Sequence, residues 1–573
     1  MTGAELVVAQ LAACGVDYVF GVPGDTSMSL YDAFARSGRI KHIAFRDERS
    51  AVFAADAYAR VKGSVGVADL PSGAGALYSV GGVSEAHKSC SAVVCIATDI
   101  PLTSEETEAL TELKQEQLFA AISKWSTRVK TVERLPALMR KAFRLATSGR
   151  PGATVLTIPQ NVLSDEYAGC EELRQCGAQV FPRHRPRPGD DDVEEVIKLL
   201  FRARRPVILA GGGVLISQAW KELQLLCRRL DIPVATSING KGAIAEGSRQ
   251  SIGVVGANGG RTLANRLVQE ADFLLVLGSK LNRVTTLGGS LTDGKIICQV
   301  DIDAEALGNN VHAQVQILAD AREFLVRLLE GIEAGSQPPT GVWHVWTDRV
   351  ERETRRDFHT NLQEPEFAGR PINPHRVVRA LQNVLPEDAI IVADAGTPTP
   401  FMAAYYRIRH PGRHFISPRG HGGLGFALPA ALGAKLARPD ALVVGMFGDG
   451  SFGMSMGDLE TISRVGVPVV LLNFDNRCYG WIKALQKLYF GERYFSVDFR
   501  PVDNVMIARA FGIDGRNVSD PDALEDTLRD ALRSDGPFFI NIESASPAEV
   551  TPPVAKWLKD EKVPPEQRGR LAY

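Results

Sequence analysis

Short apolar runs alternate along the chain with longer stretches whose apolar residues recur three and four positions apart. The first kind of run reads as a buried strand, the second as an amphipathic helix. Strands are predicted at Tyr18–Phe20, Ala92–Ala97, Val155–Ile158, Val207–Ala210, Phe273–Leu277, Ile296–Val300, Ala389–Val392, Leu442–Phe447, Val469–Phe474 and Phe538–Glu543. Strand and helix in alternation imply an α/β fold with parallel sheets. Two segments oppose regular structure: RHRPRPGD at Arg183–Asp190 and GSQPPTG at Gly335–Gly341. They divide the chain into three doubly wound parallel-sheet domains, 1–180, 190–335 and 345–550, with a tail at 551–573 that reads as a surface extension. No short-period repeat is present. The first and third segments can still share an architecture, because duplicated domains lose sequence similarity before fold.

Composition narrows the class. The 573 residues are 45% hydrophobic and 23% charged, ordinary for a soluble globular protein. Sixty-five Lys+Arg face 67 Asp+Glu, a net charge of -2. That balance excludes a globally basic nucleic-acid binder and broad attraction to anionic membranes. The N-terminus has no basic region and carries Glu5, unlike a secretory signal. No apolar run reaches the ~18 residues of a membrane span. Eight scattered cysteines, none in CxxC, read as reduced, mostly buried thiols of a cytoplasmic protein. Glycine is enriched at 54 residues, which points to backbone sites needing positive φ or close ligand approach.

The chemistry concentrates in ALVVGMFGDGSFGMSMGDLETISRVGVPVVLLNFDNRCYG, residues 441–480. A strand runs into Gly448-Asp449-Gly450-Ser451, a helix follows, and a second strand ends at Asp475-Asn476. In a parallel sheet, ligands gather at the carboxyl ends of strands. Asp449 and Asn476 are thereby brought to neighbouring strand ends. A carboxylate and an amide oxygen suit Mg²⁺, with phosphate oxygens completing its shell. Gly448 and Gly450 let backbone N–H groups approach those phosphates. The spacing resembles the thiamine-diphosphate (ThDP) binding motif, GDG followed by about 24–27 residues and then NN. The family's first Asn is Asp475 here, and its second, the metal ligand, is Asn476. The resemblance adds the main-chain carbonyl of Cys478 to the metal ligands.

Three further segments extend this resemblance. HIAFRDERSAVFAADAYARVKG resembles the family's H-E-x-x-A-x-x-x-A-x-G-Y-A-R element, and Glu48 takes the place of its invariant Glu. In the family that carboxylate bonds N1′ of the aminopyrimidine, so that the 4′-imine of a V-shaped cofactor can take the C2 proton. The small residues after Glu48 favour close helix packing. SPRGHGGLGF, residues 417–426, resembles the segment beneath the thiazolium. There Leu424 corresponds to the bulky apolar prop and Gly422 to the carbonyl acceptor for the 4′-amine. Asp394-Ala-Gly396-Thr397 resembles the D-x-G-Q/T loop beside the diphosphate. Pro23-Gly24, Gly450 and Ser451 complete the expected cofactor contacts.

Over nearly the whole chain the sequence looks most like the acetolactate synthase-type branch: FGVPG (20–24), SGAGAL (72–77), RRPVILAGGGV (204–214) and VDID (300–303) match its segments. The resemblance implies pyrimidine- and diphosphate-binding domains flanking a central Rossmann-like domain. It also implies a homodimer or homotetramer with the site between subunits. The implied reaction is decarboxylation of a 2-oxo acid to an enamine, which then adds to a second carbonyl. Asp25, Gln115 and His421 are the expected substrate-handling residues.

Departures keep alternatives open. Asp25 gives Gly-Val-Pro-Gly-Asp, as in 2-oxo-acid decarboxylases, whose His-His pair is absent. The branch's pocket Trp is Leu485, with Trp481 and Lys483 at pocket-lining positions. A 2-oxo-acid decarboxylase, a 2-hydroxyacyl-CoA lyase or oxalyl-CoA decarboxylase acting on an acyl-CoA, and a non-catalytic ThDP-binding paralogue are the rival readings. FAD in the central domain is also left open, since Gly256-Ala-Asn-Gly259 replaces the branch's G-M-H-G and Arg283 falls one residue off register.

Overall fold

The computed structural model describes residues 1–169, 181–335, 338–363 and 369–569. Three six-stranded sheets follow one another along the chain, and every strand pairing in them is parallel. Across its width the first sheet runs Lys41–Ala44, Tyr18–Gly21, Gly66–Leu70, Val93–Asp99, Thr154–Pro159 and Trp125–Arg128. The third runs Phe415–Ile416, Ile390–Ala393, Val443–Gly448, Val470–Asp475, Phe538–Glu543 and Asp514–Val518. Numbered within each sheet, both have the order 2-1-3-4-6-5. The middle sheet runs Val315–Leu318, Ile296–Asp301, Phe273–Leu277, Pro206–Ala210, Val234–Thr236 and Ser251–Val254, so its order reverses at its first strand.

All ten predicted strands are present with ends shifted by at most two residues. The others lacked a continuous apolar run. Trp125–Arg128 and Val315–Leu318 are partly exposed edge strands. Gly66–Leu70 is central and fully buried, yet contains Gly66 and Asp69. Gly66 is required because a Cβ there would lie 2.1 Å from the Ala55 carbonyl oxygen. Asp69 is accommodated by hydrogen bonds to His42 Nε2 at 2.7 Å and Tyr31 Oη at 2.8 Å.

The first and third domains meet through helices Glu48–Lys62 and Ala427–Ala437. Ala51, Ala54, Ala55 and Ala57 keep the first slim, and Gly433 lets the second come close: a Cβ on Gly433 would lie 2.1 Å from the Ala54 carbonyl oxygen. Phe53 and Phe426 pack edge to face at 5.1 Å beside this contact.

Two expectations are corrected. The tail, read as a surface extension, is anchored: Val554 and Trp557 are buried with Leu485 and Leu488, and the Trp557 ring lies 4.3 Å from Trp481. The Gly259 N–H donates to the Pro553 carbonyl at 2.8 Å, which ties the tail to the central domain. Burial of these apolar side chains holds the segment on the surface it covers. The thiols are not all reduced either. Cys90, Cys95, Cys227, Cys298 and Cys478 are free, but Cys14 is disulfide-bonded. Cys170 and Cys176 lie outside the described residues.

Candidate active site

Strands Val443–Gly448 and Val470–Asp475 are neighbours in the third sheet, and Gly448 stands opposite Phe474. Their carboxyl ends therefore place Asp449 beside Asn476. Asp449 Oδ1 accepts from the Gly450 N–H at 2.7 Å, and Oδ2 accepts from the Asn476 N–H at 3.2 Å. One carboxylate thus bridges the two strand ends. Burial pushes Asp449 up to about 6, helped by the Asp475 carboxylate and opposed by these backbone donors. The Cys478 thiol donates to Asn476 Oδ1 at 3.3 Å and orients the amide. Asp475 turns inward and accepts from Asn541 Nδ2 at 3.0 Å. Gly450 leaves room for Tyr479, whose ring would lie 2.8 Å from a Cβ there.

A second carboxylate organises the loops around this pair. Asp394 is fully buried and accepts from the Ala395 N–H at 3.0 Å, the Gly425 N–H at 3.1 Å and the Ser451 hydroxyl. Ser451 Oγ in turn accepts from the Gly425 N–H at 2.7 Å. Burial pushes Asp394 up to about 6 against these donors. The three segments with sequence-expected cofactor contacts, Gly396–Thr397, Gly422–Leu424 and Gly450–Ser451, are thereby joined at one residue. The loop motif marks Asp394 in the sequence, and its linking role comes from the fold. Gly396 has φ 100° and nothing within 4 Å of a Cβ built on it, while Gly422 has φ 72° with only the Ala395 Cβ, at 3.9 Å, near its own. Leu424 is half-buried and Thr397 buried.

Glu48 starts the helix Glu48–Lys62, capped by Asp47, whose carboxylate accepts from the N–H groups of Arg49 and Ser50. The Glu48 side chain is buried, which raises its carboxyl above the usual range; Asp47 and Asp69 add to the rise. Among the described residues no side chain hydrogen-bonds to it. A Cβ on Gly75 would lie 2.8 Å from Glu48 Oε1, so the second glycine of Ser72-Gly-Ala-Gly75 clears space for this carboxylate. The SGAGAL match was the signal available for Gly75.

The remaining expected residues are dispersed. Pro23 and Asp25 are exposed on a turn. Gly24 rests against Pro71, and hydroxyls of Thr98, Thr26, Ser72 and Thr111 link the turn to its neighbours. Gln115 is buried; its Nε2 donates to the Thr98 carbonyl at 2.9 Å, and among the described residues its Oε1 has no partner. His421 is exposed, with Nε2 2.8 Å from Ser84 Oγ. Lys483 pairs with Asp498 at 2.6 Å, and Trp481 packs on the tail. Among the described residues no hydrogen bond joins Glu48 to Asp449, and no group of three His, Cys, Asp or Glu converges as a metal cluster.

A cavity of about 650 Å³ opens at the reversal point of the middle sheet. Its lining includes Gly212, Ser237, Gly278, Asp301, Lys280 and Arg413. Ligands favour such switch points. Arg283 is not in this lining.

This arrangement is that of a ThDP enzyme. Three family models cover the chain: the thiamine pyrophosphate enzyme N-terminal TPP binding domain at residues 1–118, the central domain at 193–328 and the C-terminal TPP binding domain at 394–542. The chain belongs to the thiamine pyrophosphate enzyme family. Within it, the chain is similar to the probable acetolactate synthase large subunit of Methanococcus aeolicus, 33% identical over 97% of this chain and 94% of that one. It is also similar to the acetolactate synthase large subunit of Haemophilus influenzae, 32% identical over 93% of this chain and 92% of that one. Acetolactate synthase isozyme 3 large subunit of Escherichia coli is 31% identical over the same shares.

Proposed function

We propose that this ThDP enzyme is an acetolactate synthase-type carboligase that decarboxylates one 2-oxo acid and joins the remainder to a second carbonyl compound. The observation that carries the reading is Asp449 bridging two strand ends, in a chain alike along its length to acetolactate synthase large subunits. Asp449, the Asn476 amide oxygen and the Cys478 carbonyl offer hard oxygens for Mg²⁺. The backbone at Gly396, Thr397, Gly450 and Ser451 would hold the diphosphate, and the space beside Gly396 is open. When bound, ThDP supplies a carbon nucleophile that adds to the 2-oxo acid and takes up the electron pair released with carbon dioxide.

The protein's part is binding and proton control. Glu48, whose carboxyl burial raises, would hydrogen-bond N1′ of the pyrimidine ring, in a dry site that strengthens the bond. Gly422 would offer its carbonyl to the cofactor's amine, and Leu424 would support the cofactor from below. Asp25, Gln115 and His421 handle substrate. As the family resemblance implies, Glu48 of one copy and Asp449 of a second form one site, in a homodimer or homotetramer. Exposed Met28, Leu77, Tyr78 and Met454 flank Asp25, Gly75 and the Arg49 contact, and give such an interface apolar surface. A cytoplasmic location belongs to the same proposal; five thiols are free, and among the described residues no helix is long and apolar enough to cross a membrane.

The test is purified protein with ThDP, Mg²⁺ and a panel of 2-oxo acids and acyl-CoAs, following carbon dioxide and products. A two-carbonyl adduct is expected. Free aldehyde as the sole product would favour a decarboxylase, which the exposed Asp25 suits. A second proposal concerns the central cavity: its cationic lining and switch-point position suit the diphosphate of FAD or ADP. Absorbance near the flavin band and nucleotide analysis of denatured protein decide between FAD, ADP and neither.

A further inference from the structure

We propose that Glu85 is a positioning residue: a carboxylate of the first domain that sets the position of the third-domain loop Gly420–Leu424 at the cofactor. The proposal rests on the reading of Gly422 and Leu424 as cofactor contacts. Glu85 lies in helix Ala74–Lys88 with 1% of its surface exposed. Its Oε1 accepts from the Gly420 N–H and from the Ser89 hydroxyl, each at 2.7 Å. Its Oε2 accepts from the His421 N–H, also at 2.7 Å. Two consecutive amides of one domain are therefore gripped by one carboxylate of another. Such charge-assisted bonds are short and strong.

The fit leaves no slack. A Cβ on Gly420 would lie 2.7 Å from the Lys88 Cβ and 2.9 Å from Glu85 Oε1, so the loop backbone presses on the helix. Ser84 Oγ adds a tie to His421 Nε2 at 2.8 Å. The other end of the loop is held by Asp394, which accepts from the Gly425 N–H. Between the two clamps Gly422 keeps its left-handed φ and Leu424 stays half-buried. The loop's own domain supplies only one of its two anchors. The other comes from the domain that carries Glu48.

A glutamine at position 85 keeps the shape but has one acceptor oxygen, and its NH₂ would face an N–H. The test titrates the full-length wild type, Glu85→Gln and Gly420→Ala with ThDP at fixed Mg²⁺, following near-UV circular dichroism. Hydrogen exchange at Gly420 and His421 is read in parallel. Glu85→Gln should speed exchange at those two amides and raise the ThDP half-saturation about tenfold, as loss of bonds to a charged group implies. The KM for the 2-oxo acid at saturating ThDP should change less than the ThDP half-saturation, which separates this role from general loosening. Gly420→Ala pushes the loop off the same helix and should weaken ThDP in the same direction, so a poorly folded Glu85→Gln does not stall the test. A wild type that binds ThDP beside variants that bind it equally well overturns the proposal alone. A wild type that binds no ThDP overturns the underlying reading with it.

Discussion

The first and third sheets carry six parallel strands in the same order, and the turns after equivalent strands hold different chemistry. After the third strand, one domain has Ser72-Gly-Ala-Gly75 and the other Gly448-Asp-Gly-Ser451. After the second strand, one has Glu48 at a helix start and the other the Gly422–Leu424 loop before helix Ala427–Ala437. The two helices that follow the second strands are the ones that pack together across the domain boundary. One framework, used twice, therefore offers a lone buried carboxylate on one side and glycine turns around a bridging carboxylate on the other. The fold sets where side chains can gather. The turn residues decide what chemistry gathers there.

The sharpest way to test this division of labour is Glu48→Gln. It should lower kcat by about 10²–10⁴, the range of a lost proton-transfer group, while ThDP is still retained. The same variant bears on stability. Burial raises the Glu48 carboxyl in the folded state, so its contribution is fully present below the unfolded value and is lost as pH rises through the folded one. The cofactor-free variant should thus melt higher than wild type at neutral pH and no higher in acid. Near-wild-type turnover would remove the contrast between the domains. Asp449→Ala should act on retention instead, weakening Mg²⁺–ThDP by more than about 100-fold, since even outer partners of metal ligands are worth roughly 10–100-fold. Cofactor per chain after dialysis checks it, and undiminished retention would sink the metal assignment.

A smaller effect probes the contact that unites the two domains. Gly433→Ala forces a Cβ against the Ala54 carbonyl and should cost about 1–3 kcal/mol in urea unfolding. An unchanged midpoint would mean that the helices are not packed this closely. The smallest change in activity is expected from Trp557→Ala. It removes the ring that pins the tail on Trp481, outside both turn sets, so stability should fall while ThDP affinity holds.

Legibility followed burial. Val443–Gly448 and Val470–Asp475 were readable because both faces of a central parallel strand are covered and the run is continuously apolar. Gly66–Leu70 was not, because its glycine and aspartate answer to Ala55, His42 and Tyr31, which come from other elements. Among the site residues, Glu48, Asp449 and Asn476 stood out through short-range motifs. Asp394 stood out only as a member of its loop motif and Glu85 not at all, since the Gly425 amide that Asp394 holds lies 31 positions away and the amides that Glu85 holds lie 335 and 336 away.

By itself the sequence determined the strand-and-helix alternation, the division into α/β units and the carboxylates that mark the motifs, because these depend on neighbours a few positions apart. The tertiary structure decided that the outer sheets share one strand order and that the tail is anchored. It also decided that the Gly420–Leu424 loop lies between Glu85 and Asp394, whose carboxylates accept from the amides at its two ends. A buried carboxylate acquires its role from the amides that surround it, and only folding brings those amides together.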